Sequence, residues 1–155
     1  AFAKWNDRYY CIFKQWQSPL IASAKRPSDP DGWELLGELD APKSTENGQF
    51  IRIDGSWRLI VDSVGESRIY ELAGDENVHM GWAHWRHAHT IQFESKNGSE
   101  RIKAGAVYIA DWREQTGYFY AFYHMKHLAD ARMNLGHHLG IARSRNLSDW
   151  ELPPH

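Results

Sequence analysis

Three carboxylates stand where the sequence changes between polar turn and apolar run. Glu46 opens Glu46-Asn47-Gly48-Gln49-Phe50-Ile51-Arg52-Ile53. Asp62 follows Trp57-Arg58-Leu59-Ile60-Val61, and Asp111 follows Ala106-Val107-Tyr108-Ile109-Ala110. Two carboxyl groups on either side of a bond can serve as acid and base. The same residues also have a plain structural reading. Glu46 is then a solvated loop carboxylate, and Asp62 and Asp111 cap strand ends.

A second candidate group is aromatic and imidazole. Residues 74–89 carry Trp82, His84, Trp85, His87 and His89 with no strict period. Side chains alternate along an extended segment, so Trp85, His87 and His89 would share one face. Trp82, His84 and Trp85 could line the mouth of a pocket. Trp82, Trp85 and Trp112 together could stack on a ring-shaped ligand such as a sugar. Histidines two apart could also reach one zinc ion. No acidic or cysteine partner stands at a diagnostic spacing, so no metal site and no cofactor is expected. His124, His127, His137 and His138 read as loop residues.

The elements that must position these groups are short strands. Residues 104–155 write out one unit most fully. Ala106 to Ala110 is an apolar run, and Trp112 to Gly117 a polar turn. Tyr118 to Tyr123 is an aromatic run, Leu139 to Ser144 a third strand, and Trp150 to Leu152 a fourth. β-Branched and aromatic runs bounded by Gly, Asn, Asp and Ser are strand signals. Four of them in about fifty residues make an antiparallel meander, the size of one propeller blade.

The unit recurs, which divides a single domain into blade-like repeats 1–41, 42–103 and 104–155. In the first, the strands are Phe2 to Trp5, Arg8 to Phe13, Pro19 to Ala24 and Trp33 to Leu39. In the second, Gln49 to Ile53 and Trp57 to Asp62 pair across Asp54-Gly55, a strong hairpin signal. Arg68 to Ala73 follows, then the His- and Trp-rich stretch as an insertion, then Thr90 to Glu94. Lys96-Asn97-Gly98-Ser99 reads as a turn, and Lys126 to Leu135 as the one short helix. Asp31-Gly32-Trp33-Glu34-Leu35 matches Ser148-Asp149-Trp150-Glu151-Leu152 at the same phase.

The chain has 155 residues, enough for a core of ordinary size. Its formal net charge is −2 and it has no basic stripe, which argues against nucleic acid as a partner. No apolar stretch approaches a membrane span, so no membrane partner is expected. Cys11 is the single cysteine, which excludes an intrachain disulfide, and its place in a strand makes it a buried thiol. Eight Trp, seven Tyr and six Phe are more than turns and loops use, so most must pack between strands.

With these residues in view, the sequence resembles the five-bladed β-propeller glycoside hydrolases (arabinanases, xylosidases, invertases and levansucrases). The closest stretch is Leu139-Gly140-Ile141-Ala142-Arg143-Ser144-Arg145-Asn146-Leu147-Ser148-Asp149-Trp150-Glu151. The resemblance implies an all-β propeller that cleaves or binds a glycoside in a central cavity. It implies that Glu46 takes the place of a general acid in a Glu-x-Pro segment, with Gly48 where the family has Pro. Asp62 and Asp111 are then candidate second carboxyls, since glycoside hydrolysis uses two. The family's first-blade Asp-Pro would fall before Ala1. Three blades cannot close a five-bladed ring, because the end blades would expose apolar faces and sheet edges. Either the chain is a piece of a longer one, or two copies form a homodimer around a shared cavity. A non-catalytic carbohydrate- or protein-binding module on the same architecture is the alternative.

An all-β chain should give a far-UV circular dichroism spectrum dominated by strand. A spectrum dominated by helix would end the propeller reading.

Overall fold

The structure, a computed structural model, describes residues 1–16, 18–42, 45–63, 66–91, 93–94, 101–126 and 138–152. Three antiparallel sheets follow one another along the chain. The first is β1 (Phe2–Trp5), β2 (Arg8–Gln15), β3 (Ser18–Ala24) and β4 (Glu34–Glu38), in that spatial order. The second is β5 (Glu46–Ile53), β6 (Ser56–Ser63), β7 (Glu66–Leu72) and β8 (Trp85–Ile91). The third is β10 (Arg101–Trp112), β11 (Tyr118–Lys126), β12 (His138–Ser144) and β13 (Trp150–Glu151), with the two-residue β9 (Phe93–Glu94) beside β10. The fold is all-β, and its sheets stack face on face as propeller-like blades.

Alternation along each strand sends side chains to two faces, and in the second blade both faces are buried. Trp57, Leu59, Val61 and Tyr70 pack with Ala3, Tyr10, Ile12 and Ile21 of the first blade. Ile53, Ile60 and Ile69 pack with Val107, Ile109, Phe119 and Ala121 of the third. One stacked ring pair lies at the first interface and another within the third blade. Tyr10 lies on Trp82 at 3.8 Å between centroids, and Phe93 lies on Tyr123 at 4.0 Å. Gly140 faces Tyr123 across β11 and β12, and a Cβ there would come within 2.3 Å of its ring. Only glycine lets that ring lie flat over the neighbouring strand.

Several expected boundaries move. The stretch 74–89 is not an insertion. It is a loop with a 3₁₀ turn, His79–Ala83, leading straight into the outer strand β8. Trp85 at the start of β8 therefore repeats the Trp step of Trp33 and Trp150. Its indole N–H donates to the Trp82 carbonyl at 2.7 Å, as that of Trp150 donates to Leu147 at 3.0 Å. Thr90 to Glu94 is not one strand, because Ile91 ends the second blade and Phe93 joins the third. The third blade thus begins before residue 104. Trp112 to Gly117 winds into a single α-turn, Arg113–Thr116, ended by Gly117 at φ 79°. The turn at 96–99 and the helix expected beyond Lys126, with His127 and His137, lie outside the described residues. His138 opens β12.

Cys11 is buried, and burial raises its thiol pKa, as befits an inert core residue. Trp82 fills the first interface, so Trp82→Ala should cost about 3–5 kcal/mol in urea unfolding followed by circular dichroism. A loss under about 1 kcal/mol would place the indole outside the core.

Candidate functional site

β5 runs from Glu46 at one end of the stack to Ile53 at the other, and the candidate site lies at the Glu46 end. Thr45 sets the entry, its N–H and hydroxyl both donating to the Pro42 carbonyl at 2.9 and 2.5 Å. Asn47 then sits at φ 46°, in the left-handed region, and the register with β6 shifts between Glu46 and Gly48. This is a β-bulge, which re-aims the side chains beside it. Glu46 is exposed and meets Lys14 Nζ of the first blade at 3.2 Å. Beneath them is a cavity of about 120 Å³ lined by Ile12, Lys14, Thr45, Glu46, Asn47 and Gly48 among others. That is below the roughly 300–1,000 Å³ of ordinary ligand pockets. Gly48 lies so close to the first blade that a Cβ would stand 3.0 Å from Ile12 Cγ2.

Glu46 and Asp62 are cross-strand partners in the β5–β6 ladder. Partners in an antiparallel pair have Cα atoms about 4.5–5.5 Å apart. Their side chains nevertheless part, at the bulge that separates this pair from Gly48 and Val61. Glu46 reaches back to the first blade, while Asp62 reaches forward to the third. Asp62 is buried and accepts from Ser67 Oγ at 2.5 Å, from the Val107 N–H at 3.3 Å and from Asn47 Nδ2 at 3.5 Å. The register of β10 shifts between Gly105 and Tyr108, which takes the Val107 N–H out of its own ladder. Asp62 supplies the acceptor that a buried N–H needs. Burial pushes the Asp62 carboxyl pKa up, and the bonds from Ser67, Val107, Ala106 and Asn47 pull the other way. Beside it, the Gln49 side-chain amide exchanges two bonds with Ile109, at 2.8 and 2.7 Å.

Asp111 does not join these two. It lies at the other end of β10, with the Asp54-Gly55 turn that ends β5. An eight-residue strand such as β5 is about 26 Å long, so Asp111 and Glu46 cannot flank one bond within a chain. Instead Arg113 clamps Asp111 and Asp54 together, with Nη2 at 2.8 Å from each carboxylate. Hydrogen bonding to this guanidinium lowers both carboxyl pKa values and raises that of Arg113. The pair ties the second and third blades, and the guanidinium carbon sits 4.3 Å from the Phe119 ring centroid.

The aromatic and imidazole candidates also separate. Trp82 is fully buried, stacked on Tyr10 and edged by Phe50 and Trp57, so it offers no face to a ligand. Trp85 is half-buried against Phe50. His84 is exposed at the mouth of the loop. His87 is exposed, 3.2 Å from Thr90 Oγ1, with its ring edge on Tyr70. His87 pairs with Tyr70 and His89 with Ile69, leaving Ala88 as an extra residue in the ladder. That bulge turns His87 and His89 to opposite faces, so the shared face expected from strict alternation does not form. Trp112 is half-exposed on the far side of the third blade, beside Tyr120 and Phe122. Among the described residues, no group of three His, Cys, Asp or Glu side chains could hold a metal ion.

Lys14, Asn47, Ser67 and Arg113 were not singled out from the sequence. Asn47-Gly48 carried a signal, since Asn before Gly tolerates positive φ. The other three carried none.

No protein-family model and no curated protein matches the chain. Among solved structures it is similar to the endo-arabinase from Bacteroides thetaiotaomicron VPI-5482, with a TM-score of 0.60 and 14% sequence identity. The similarity covers 99% of this chain and 59% of that one, so this chain spans about three fifths of that protein's length. Identity this low shows a shared fold.

A carboxyl with a raised folded-state pKa binds its proton more tightly when folded. Its contribution is favourable in acid and is lost as pH rises from the unfolded value through the raised one. Urea unfolding across a pH series should therefore show Asp62→Asn gaining on the parent protein as pH rises from about 3 to 8. A stability difference that is flat in pH would mean that the Asp62 pKa is not raised.

Proposed function

We propose that this chain is a carbohydrate-active protein of the propeller glycoside hydrolase type, with Glu46 as its general acid. A glycoside is held at the Glu46 end of the blades, in a cavity completed by a second copy in a homodimer. The observation that carries the reading is the place of Glu46: exposed, at the entry of the second blade's innermost strand, beside Lys14 and a cleft between blades. The fold shared with an endo-arabinase makes arabinan and its oligosaccharides the first substrates to try. Asp62 is the nearest second carboxyl in the ladder. Its oxygens are engaged within the fold, so it serves by holding Asn47 and the third blade in place.

A second reading, a non-catalytic carbohydrate-binding module, is favoured by one fact. Of the three candidate carboxylates, Asp62 and Asp111 are both occupied by neighbours inside the chain. Trp112, His84 and His87 keep exposed surface for contact with a ligand.

Release of reducing ends from arabinan separates the two. Cleavage that Glu46→Gln abolishes, with melting temperature unchanged, supports the enzyme. Unchanged cleavage by Glu46→Gln removes this residue from the site. Oligosaccharide binding without cleavage by the parent protein supports the module, and neither binding nor cleavage rejects both.

A further inference from the structure

The three blades have a common polarity. The hairpins closed by Trp5–Arg8, Ile53–Ser56 and Trp112–Tyr118 align Tyr10 and Ile12 with Arg58 and Ile60, and with Tyr120 and Phe122. These define a leading face on each blade. Tyr9, Cys11 and Phe13 align with Trp57, Leu59 and Val61, and with Phe119, Ala121 and Tyr123, which define a trailing face. Inside the chain, a leading face meets a trailing face twice. The first blade's Tyr10 and Ile12 pack on Leu59 and Val61, and the second blade's Ile60 packs on Phe119 and Ala121. Among the described residues, one face of each kind is left over.

The free trailing face of the first blade is apolar. Phe2, Phe13 and Leu35 are exposed there, around a groove of about 440 Å³ floored by Cys11 and Ala22 and walled by Trp33. The free leading face of the third blade is aromatic. Tyr108, Phe122 and Ile141 form one row across β10, β11 and β12, and Tyr120 and Arg143 form the next. The Arg143 charge is met by Glu151 at 3.0 Å. Aromatic residues and Arg with few unpaired charges are the composition of interface centres. Patches of this kind are rarely left in water.

We propose that two copies of this chain associate head to tail, the leading face of the third blade in each covering the trailing face of the first blade in the other. The contact repeats the leading-on-trailing packing already present twice within the chain. Each free face spans about 19 by 23 Å. A closed pair has two such contacts and removes roughly 1,800 Å² from water, the size of a stable interface. Head-to-tail contacts otherwise propagate, and closure at two copies stops them. The proposal deepens the assembly part of the reading above and rests on that part alone, since it needs no glycoside.

Sedimentation equilibrium at micromolar concentration tests it on the parent protein and on Leu35→Lys, Ile141→Lys and Val78→Lys. Leu35 and Ile141 lie on the two free faces, and Val78 is equally exposed in the loop before β8. The expected result is a pair of twice 18.0 kDa for the parent. Leu35→Lys and Ile141→Lys should each weaken it by at least about a hundredfold, and Val78→Lys should leave it intact. Circular dichroism and melting of the separated variants verify that they are folded. A monomeric parent overturns the proposal and leaves the faces to another occupant. Loss of the pair in only one of the two face variants overturns it in favour of a self-complementary contact, in which like faces meet. Neither failure bears on cleavage by Glu46, which is read separately.

Discussion

The structure depends on a sheet that has no solvent face. β6 and β7 of the second blade carry apolar side chains on both faces, among polar ones such as Arg58, Asp62 and Arg68. Trp57, Leu59 and Val61 point one way, and Ile60 and Ile69 point the other. At about 25 cal/mol per Å² of apolar surface, neither set can be left in water. Each therefore requires a neighbouring sheet, and stacking of blades follows from this one pattern. The stack of Tyr10 on Trp82 then fixes how far apart the first two blades lie.

Polar groups specify what apolar packing leaves open. Two sheets can slide on each other with little loss of buried area, but hydrogen bonds hold one register. Asp62 to Val107, Gln49 to Ile109 and Asp54 to Arg113 lock the second blade to the third at three levels. The first blade has lighter locks, the exposed Lys14–Glu46 and Glu34–His79 contacts, which contribute little in water. The cleft lies at this less constrained seam. A site between rigid elements, one of them weakly tied, can admit a ligand without disturbing the core.

The aromatic content serves three purposes that residue type alone does not separate. Trp82 and Tyr70 are buried wedges. Trp33, Trp85 and Trp150 end the loops that lead into the outer strands, each with its indole N–H on a loop carbonyl. Trp112, Tyr108, Phe2 and Phe13 cover the outer faces and remain exposed.

The sequence by itself determined the strands, the threefold recurrence of a four-stranded unit and the propeller-like class. Those rest on period-two alternation and turn residues, which are local. It also placed the Asp54-Gly55 hairpin and the Trp step at 33 and 150, though it missed the same step at Trp85 behind an irregular loop. Only the tertiary structure decided the directions of the functional groups. A bulge is one residue out of phase with its partner strand, so Ala88 could not be recognised before the pairing was known, and Asn47 showed only as a residue that tolerates positive φ. Those two residues send Glu46 away from Asp62 and His87 away from His89. Burial of Trp82 and the capture of Asp62 by Val107 likewise depend on which sheet lies opposite. That choice is made by the packing of whole faces, and no single stretch of the chain encodes it.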